Sequence, residues 1–233
     1  MMSAQRARRL RKWHNDAYRE IQGSLPRRIF HMGLELRVPE DVFPPAGDGS
    51  FHRLIRDEVR PSDRVLDMGT GSGIGALLAA SQSSDVVAVD INPKAVEAAA
   101  ANATRNGLAA RITFLESDVF SAVDGTFDLL LFDPPFRWFK ARDLLELSTA
   151  DENYRALTTF MTEASRHLKP GGRILLHFGT SGDIDYLYRL IDATAFKKEV
   201  IATEQLTRGD LSVTYYVFRL TNSAEENPSK RRS

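Results

Sequence analysis

The chain has 233 residues, of which 42% are apolar and 27% charged, the composition of one globular domain able to bury its own core. Its 31 basic and 31 acidic side chains cancel, which excludes a global electrostatic pull toward nucleic acid or a membrane surface. The lack of cysteine excludes disulfides, thiolate metal sites and a thiol nucleophile, and no apolar run nears the ~20 residues that span a bilayer.

The first segment is unevenly charged. Residues 1–28 carry eight Arg and Lys against only Asp16 and Glu20. No apolar stretch follows that would make them a signal peptide, so a cytoplasmic protein is expected. Residues 1–22 read as a helix with Leu10, Trp13, Ala17, Tyr18 and Ile21 on one face. Its cations could touch RNA phosphates, but the aromatic stripe favours packing on the domain. Residues 38–49 hold three prolines and two glycines and read as a loop, with a helix expected at 50–59.

From Arg64 onward, short apolar runs at 64–68, 85–89, 111–115, 127–132 and 173–178 alternate with helical periodicity at 74–82, 93–106 and 151–168. Continuous apolar strands separated by helices predict a parallel sheet covered on both faces. Asn92-Pro93 opens a helix, Asn106-Gly107 closes it, and Lys169-Pro170-Gly171-Gly172 ends the next one. Residues 198–206 and 211–220 read as strands joined in a hairpin by 207–210. The predicted fold is therefore α/β, a doubly wound, mostly parallel sheet closing with a C-terminal antiparallel hairpin. The chain divides into a basic helical extension (1–37), one domain (38–220) and a polar tail expected to be disordered (221–233).

The densest chemical signal is the run from Val65 to Gly75, in which Gly69, Gly71, Gly73 and Gly75 follow the first strand of this alternation. Such a turn lets the backbone approach a ligand closely. Gly71 to Ala76 also satisfies the dinucleotide pattern G-x-G-x-x-A, so the glycines alone leave the cofactor open between a dinucleotide and another nucleoside. Asp67, two residues before the first glycine, breaks the tie. A carboxylate there suits a ligand ammonium group and would lie poorly beside a pyrophosphate. Asp90, ending the next strand, can accept hydrogen bonds from two ribose hydroxyls.

With these residues the chain resembles the class I S-adenosylmethionine-dependent methyltransferases. The resemblance rests on VLDMGTGSG at 65–73, VVAVDINPKAV at 86–96, ITFLESDVF at 112–120 and FDLLLFDPPF at 127–136, and it covers about residues 38–220. It implies S-adenosyl-L-methionine as cofactor and S-adenosyl-L-homocysteine as product. Asp67, Gly69, Thr70, Gly71 and Gly73 would surround the amino-acid part, Asp90 the ribose, Ile91 the adenine ring, and Asp118 with Val119 the adenine amine. Residues 38–45 resemble the segment ahead of the cofactor motif in the small-domain group, which would put Phe43 and Pro44 near the cofactor or make them a loop over the core.

Asp133-Pro134-Pro135-Phe136 follows the fourth strand of the alternation, at the edge where open α/β sheets place ligands. A planar nitrogen has its lone pair delocalised. Two rigid acceptors, the Asp133 carboxylate and the Pro134 carbonyl, can hold both of its N–H groups and favour its developing positive charge, while Phe136 stacks on it. The family form of the motif, [N/D/S]-P-P-[Y/F/W], is typical of amino-methyltransferases. Asp rather than Asn at 133 is commoner in nucleobase enzymes and puts a release-factor substrate in doubt. The expected activity is N-methylation of a planar amine or amide, in an RNA nucleobase, a protein glutamine or a small metabolite. The rivals are a small-molecule methyltransferase acting on N or O, a non-catalytic cofactor-binding subunit and a dinucleotide oxidoreductase. Trp138 could line the substrate pocket or form a flap, and Arg137 could meet a phosphate or carboxylate or stay a solvated loop charge. The five histidines show no ligand spacing, so no metal is expected and they read as core or surface residues.

Overall fold

The computed structural model describes residues 3–45, 49–208 and 211–222. Of the tail expected at 221–233, Thr221 and Asn222 are ordered in the last strand and 223–233 lie outside the described residues, as do 209–210 of the expected turn and 46–48 of the proline-rich loop.

Helix α1 (Ala4–Gln22) starts where the Ser3 side chain accepts the Arg6 N–H, and buries Leu10, His14 and Tyr18 on one face. The extension is helical only that far. Strands β1 (Arg27–His31) and β2 (Leu34–Val38) then form an antiparallel hairpin that helical periodicity did not suggest. Met32 and Gly33 turn it with φ of 50° and 84°, the doubly positive geometry of a tight hairpin. Asn102 and Asn106 extend their amides to the backbone of Arg37 and Glu35, so the hairpin is tied to the domain by groups that imitate a neighbouring strand.

Helix α2 (Ser50–Glu58) leads into the main alternation: β3 (Arg64–Met68), α3 (Ile74–Ala80), β4 (Asp85–Asp90), α4 (Pro93–Arg105), β5 (Ile112–Glu116) and β6 (Phe127–Phe132). The short α5 (Leu144–Leu147) and α6 (Arg155–Glu163) precede β7 (Leu168–Gly179), α7 (Ile184–Asp192), β8 (Phe196–Arg208) and β9 (Leu211–Asn222). Pro170 to Gly172, read as a helix stop, already belong to β7, which joins β6 through an irregular register between Phe127 and Leu129. The sheet order is β5-β4-β3-β6-β7-β9-β8, parallel as far as β7 and antiparallel from there. The expected doubly wound sheet with its closing hairpin is therefore present.

Alternate strand residues serve opposite faces. Leu66, Leu130 and Phe132 pack against Leu157, Phe160 and Leu187 of α6 and α7, whereas Val65, Leu129 and Leu131 pack against Ile55, Leu77 and Ala103 of α2, α3 and α4. The chain begins this sheet in the middle at β3, winds out to β5, then returns to β6. The loops after β3 and β6 thus leave adjacent strands in opposite directions and open a crevice at their carboxyl ends.

Candidate functional site

That crevice holds a cavity of about 520 Å³. The glycine turn after β3 forms one side of it and the Asp133–Phe136 turn after β6 another. Gly69 and Gly71 have φ of +72° and +55°, and a Cβ built on Gly69 would meet nothing within 4 Å, so bare backbone faces the cavity.

Asp67 is buried at the end of β3. Its Oδ2 accepts from the Thr70 hydroxyl (2.7 Å) and the Ala76 N–H (2.8 Å), while Oδ1 packs over Gly75, where a Cβ would stand 2.6 Å away. Oδ1 has no donor among the described residues. Burial pushes the Asp67 carboxyl up to about 6, against the pull of those two hydrogen bonds, and the charges of Asp90 and Asp133 add to the rise. Asp90 is raised too, mainly by burial, although it accepts from the Gly71 and Asn92 N–H groups at 2.9 Å each. Four carboxylates therefore border one cavity, Asp67, Asp90 and Asp133 at the ends of its strands and Glu204 at its rim. That field suits a cationic ligand and opposes a pyrophosphate, which weighs against the dinucleotide alternative. The bare glycine backbone and the free Asp67 oxygen fit an aminoacyl nucleoside with an ammonium group.

Several sequence-predicted residues come together here: Asp67, Gly69, Thr70, Gly71, Asp90, Phe43, Pro44, Asp133, Pro134, Phe136 and Arg137 all line the cavity. Others do not. Gly73 caps α3 and packs its backbone on Ala99, with a hypothetical Cβ only 3.0 Å away. Ile91 is exposed outside the lining, and Val119 is buried in the core. Asp118 receives both ends of the Arg155 guanidinium, each at 2.9 Å. Trp138 is outside the lining and packs, as Trp13 does, against the cluster of Leu10, Leu211 and Val213.

The largest departure from the sequence reading is the role of His177. In the β6–β7 register Phe132 stands opposite Leu176, which brings the next residues, Asp133 and His177, side by side. The His177 Nδ1 lies 2.8 Å from Asp133 Oδ1. A carboxylate can only accept, so Nδ1 carries the hydrogen. The imidazole stacks on Phe51 (5.4 Å, 14°) and meets Phe136 edge-on (5.4 Å, 70°), which fixes its plane. The pair leaves Asp133 Oδ2 for another partner. Behind it, the Tyr154 hydroxyl donates to the Phe136 carbonyl (3.1 Å) and accepts from the Asp183 N–H (2.7 Å), tying the turn to the start of α7.

Helix α1 closes the cavity on the side of the Asp133–Phe136 turn with Trp13, His14, Ala17, Tyr18 and Ile21. It is held down by a buried joint, His14 Nε2 to Glu146 Oε1 at 2.8 Å, and by the Tyr18 hydroxyl donating to Asp143. Burial alone would raise the Glu146 carboxyl, but hydrogen bonds from Arg142 and His14 overcome it and hold the group near about 2. His14 is lowered, chiefly by its own burial. Several cations of α1 are committed within the chain. Arg6 donates to the Thr180 carbonyl, Arg11 lies 4.6 Å over the Phe139 ring, and Lys12 and Arg19 flank Asp16. Among the described residues no group of three or more His, Asp or Glu could hold a metal, and no helix is long and apolar enough to cross a membrane.

A family model described as the methyltransferase small domain matches residues 52–181. A Methanocaldococcus jannaschii protein, provisionally named a protein N5-glutamine methyltransferase, is 30% identical over 189 residues, covering 78% of this chain and 94% of that one. The release factor glutamine methyltransferase of Cereibacter sphaeroides is 31% identical over 71% of this chain and 64% of its own length. The ribosomal protein uL3 glutamine methyltransferase of Bradyrhizobium diazoefficiens is 30% identical over 69% of this chain, which spans 58% of that relative. Among solved structures, a tRNA methyltransferase of M. jannaschii superimposes with a TM-score of 0.64 at 20% identity, over 84% of this chain and 56% of that one. At that identity the likeness concerns the fold alone.

Proposed function

The chain belongs to the methyltransferase small-domain family and is an S-adenosylmethionine-dependent N-methyltransferase, and from that premise we propose that Asp133 and Pro134 hold a planar nitrogen for methylation while Phe136 stacks on it. The observation that carries this reading is the placement of the Asp133–Phe136 turn and the glycine turn on one cavity, with one Asp133 oxygen already fixed by His177.

S-adenosylmethionine supplies a methyl carbon on a positively charged sulfur. Asp67 Oδ1 would take its ammonium group, the Gly69–Gly71 backbone would lie along its amino-acid part, and Asp90 would accept from its ribose hydroxyls. On the acceptor side, Asp133 Oδ2 and the Pro134 carbonyl each accept one N–H. Turning both N–H bonds toward these oxygens directs the nitrogen lone pair at the methyl carbon. The cofactor would supply the methyl carbon to that nitrogen and keep the electron pair of the S–C bond on its sulfur. The nitrogen becomes cationic beside Asp133, and its surplus proton leaves to that carboxylate or to water. Asp67, Asp90 and Asp133 favour both the cationic donor and the cationic product.

The names of the relatives support a glutamine amide as acceptor. A second reading, a small flat amine, is supported by the roof that α1 builds over the acceptor end and by the rings of Phe51, Phe136, His177 and Tyr215 there. Methyl transfer from radiolabelled cofactor into separated protein, RNA and metabolite pools distinguishes the two. Asp133→Ala is expected to abolish incorporation into whichever pool is labelled, with affinity for S-adenosylhomocysteine kept within a few-fold. Undiminished turnover in that variant would remove Asp133 from the mechanism.

A further inference from the structure

Arg137 stands one residue beyond the Asp133–Phe136 turn and lines the same cavity, yet it is only 8% exposed. A loop arginine so placed is expected in solvent. Here its backbone is pinned on both sides, the N–H donating to the Thr149 carbonyl (3.0 Å) and the carbonyl accepting from Asp151 (2.6 Å). One guanidinium N–H donates to the Ser181 carbonyl at 2.8 Å, and the group lies 5.3 Å from the Trp13 ring of α1. Its Nε is buried with no acceptor. No carboxylate pairs with it among the described residues. The groups that act on its charge are the phenols of Tyr215 and Tyr154, and its pKa is lowered by burial.

A buried cation without a counter-ion is costly, and folded proteins pair such groups or reserve them for a ligand. The buried arginine elsewhere in this chain shows the ordinary solution: Arg173, with comparable burial, is paired with Asp63 at 2.7 Å and with Glu58. Arg137 lacks that compensation and lines a cavity. Its planar fork matches a carboxylate or phosphate.

Resting on the N-methyltransferase reading, we propose that Arg137 anchors the oxyanion of a small, planar amine or amide substrate whose nitrogen is held at Asp133. Asp133 and Arg137 line the same cavity, so the ligand carries an N–H group for one and a carboxylate or phosphate for the other. The roof of α1, with Trp13 over the guanidinium, admits a free small molecule more readily than a polymer.

Thermal shift and calorimetry with S-adenosylhomocysteine bound test this. Inorganic phosphate and 4-aminobenzoate should raise the Tm of the wild-type protein, and aniline at the same concentration and ionic strength should not. Arg137→Met should lose both responses while keeping S-adenosylhomocysteine affinity within a few-fold. Its Tm without ligand should equal or exceed that of the wild type, because a buried unpaired charge has been removed. A merely structural arginine gives the opposite sign, a lowered Tm. That lowered Tm, an equal response to aniline and 4-aminobenzoate, or an anion response that survives in Arg137→Met each overturns the proposal. So does an RNA oligonucleotide whose binding depends on Arg137, which would assign the cation to a polymer phosphate. Failure of the wild type to bind S-adenosylhomocysteine would instead strike the cofactor reading, and the phosphate arm without that ligand still judges Arg137.

Discussion

Asp67 offers the sharpest test of how the site holds its cofactor, because its carboxyl sits near about 6 in the free protein, raised first by burial. A free α-amino group keeps its proton below ~7.7, so between pH 5 and 7 the ligand end stays an ammonium while Asp67 titrates. If the ammonium binds only the ionised carboxylate, binding expels whatever proton Asp67 holds. With a folded value of about 6, that is roughly 0.9 proton at pH 5, half a proton at pH 6 and about 0.1 at pH 7. Affinity for S-adenosylhomocysteine is then about tenfold weaker at pH 5 than at pH 7. Calorimetry in buffers of different ionisation enthalpy reads the proton count directly.

Asp67→Asn supplies the control. It removes a charge-assisted hydrogen bond of about 1.5–3 kcal/mol, so affinity at pH 7 should fall roughly tenfold to a hundredfold and the pH dependence should flatten. The free variant should gain stability rather than lose it. Raising the carboxyl from 3.8 to about 6 means that the ionised group costs the fold ~3 kcal/mol at pH 7, a cost that falls away as pH drops through the folded value. An amide still accepts from Thr70 and Ala76 without that charge. Affinity independent of pH from 5 to 7, or an Asp67→Asn variant that binds like the wild type, would refute the assignment of Asp67 to the ammonium.

Gly182→Ala places a Cβ 2.6 Å from the Phe136 carbonyl oxygen and 2.9 Å from the Phe178 ring, so it should cost about 1–3 kcal/mol by overpacking and reduce methyl transfer by shifting Phe136; thermal melts and turnover check both. Ala17→Trp fills the cavity from the half-buried inner face of α1 and should block the acceptor while leaving S-adenosylhomocysteine affinity within a few-fold, a split that binding and turnover assays resolve. Glu146 is held near about 2 against an ordinary 4.5, so its stabilising contribution is complete above pH 4.5 and is lost as pH falls through about 2. Fluorescence of Trp13 and Trp138, both at the α1 joint, should follow that loss, and Glu146→Gln should flatten it.

Most of the alternation from Arg64 to Gly179 was legible because β3, β4, β6 and the second half of β7 are buried on both faces and so read as apolar runs. The two turns that border the cavity were legible because turn chemistry is local: glycines with positive φ after β3, a Pro-Pro pair after β6. The β1–β2 hairpin was not. Its five-residue strands come four residues after a helix, and their hydrogen-bond support comes from Asn102 and Asn106 about 70 residues away in sequence. His177 was one of five scattered histidines until register mattered. Only the parallel pairing of β6 with β7 puts it beside Asp133, and a sequence gives strand order far more readily than it gives register.

Arg137 and α1 belong to one argument. The apolar stripe of α1 was visible as a stripe, but what it covers depends on where the helix lands, and it lands on the acceptor end of the cavity through His14 and Tyr18. By landing there it brings Trp13 beside Arg137 and removes water from a cation that would otherwise be solvated. A helix that desolvates an unpaired guanidinium lowers the stability of the free protein and raises the strength of any oxyanion contact made beneath it. The basic segment therefore meets the cavity with its inner face, through Trp13, Ala17 and Tyr18, while much of its outer charge is spent on Asp16, Phe139 and Thr180.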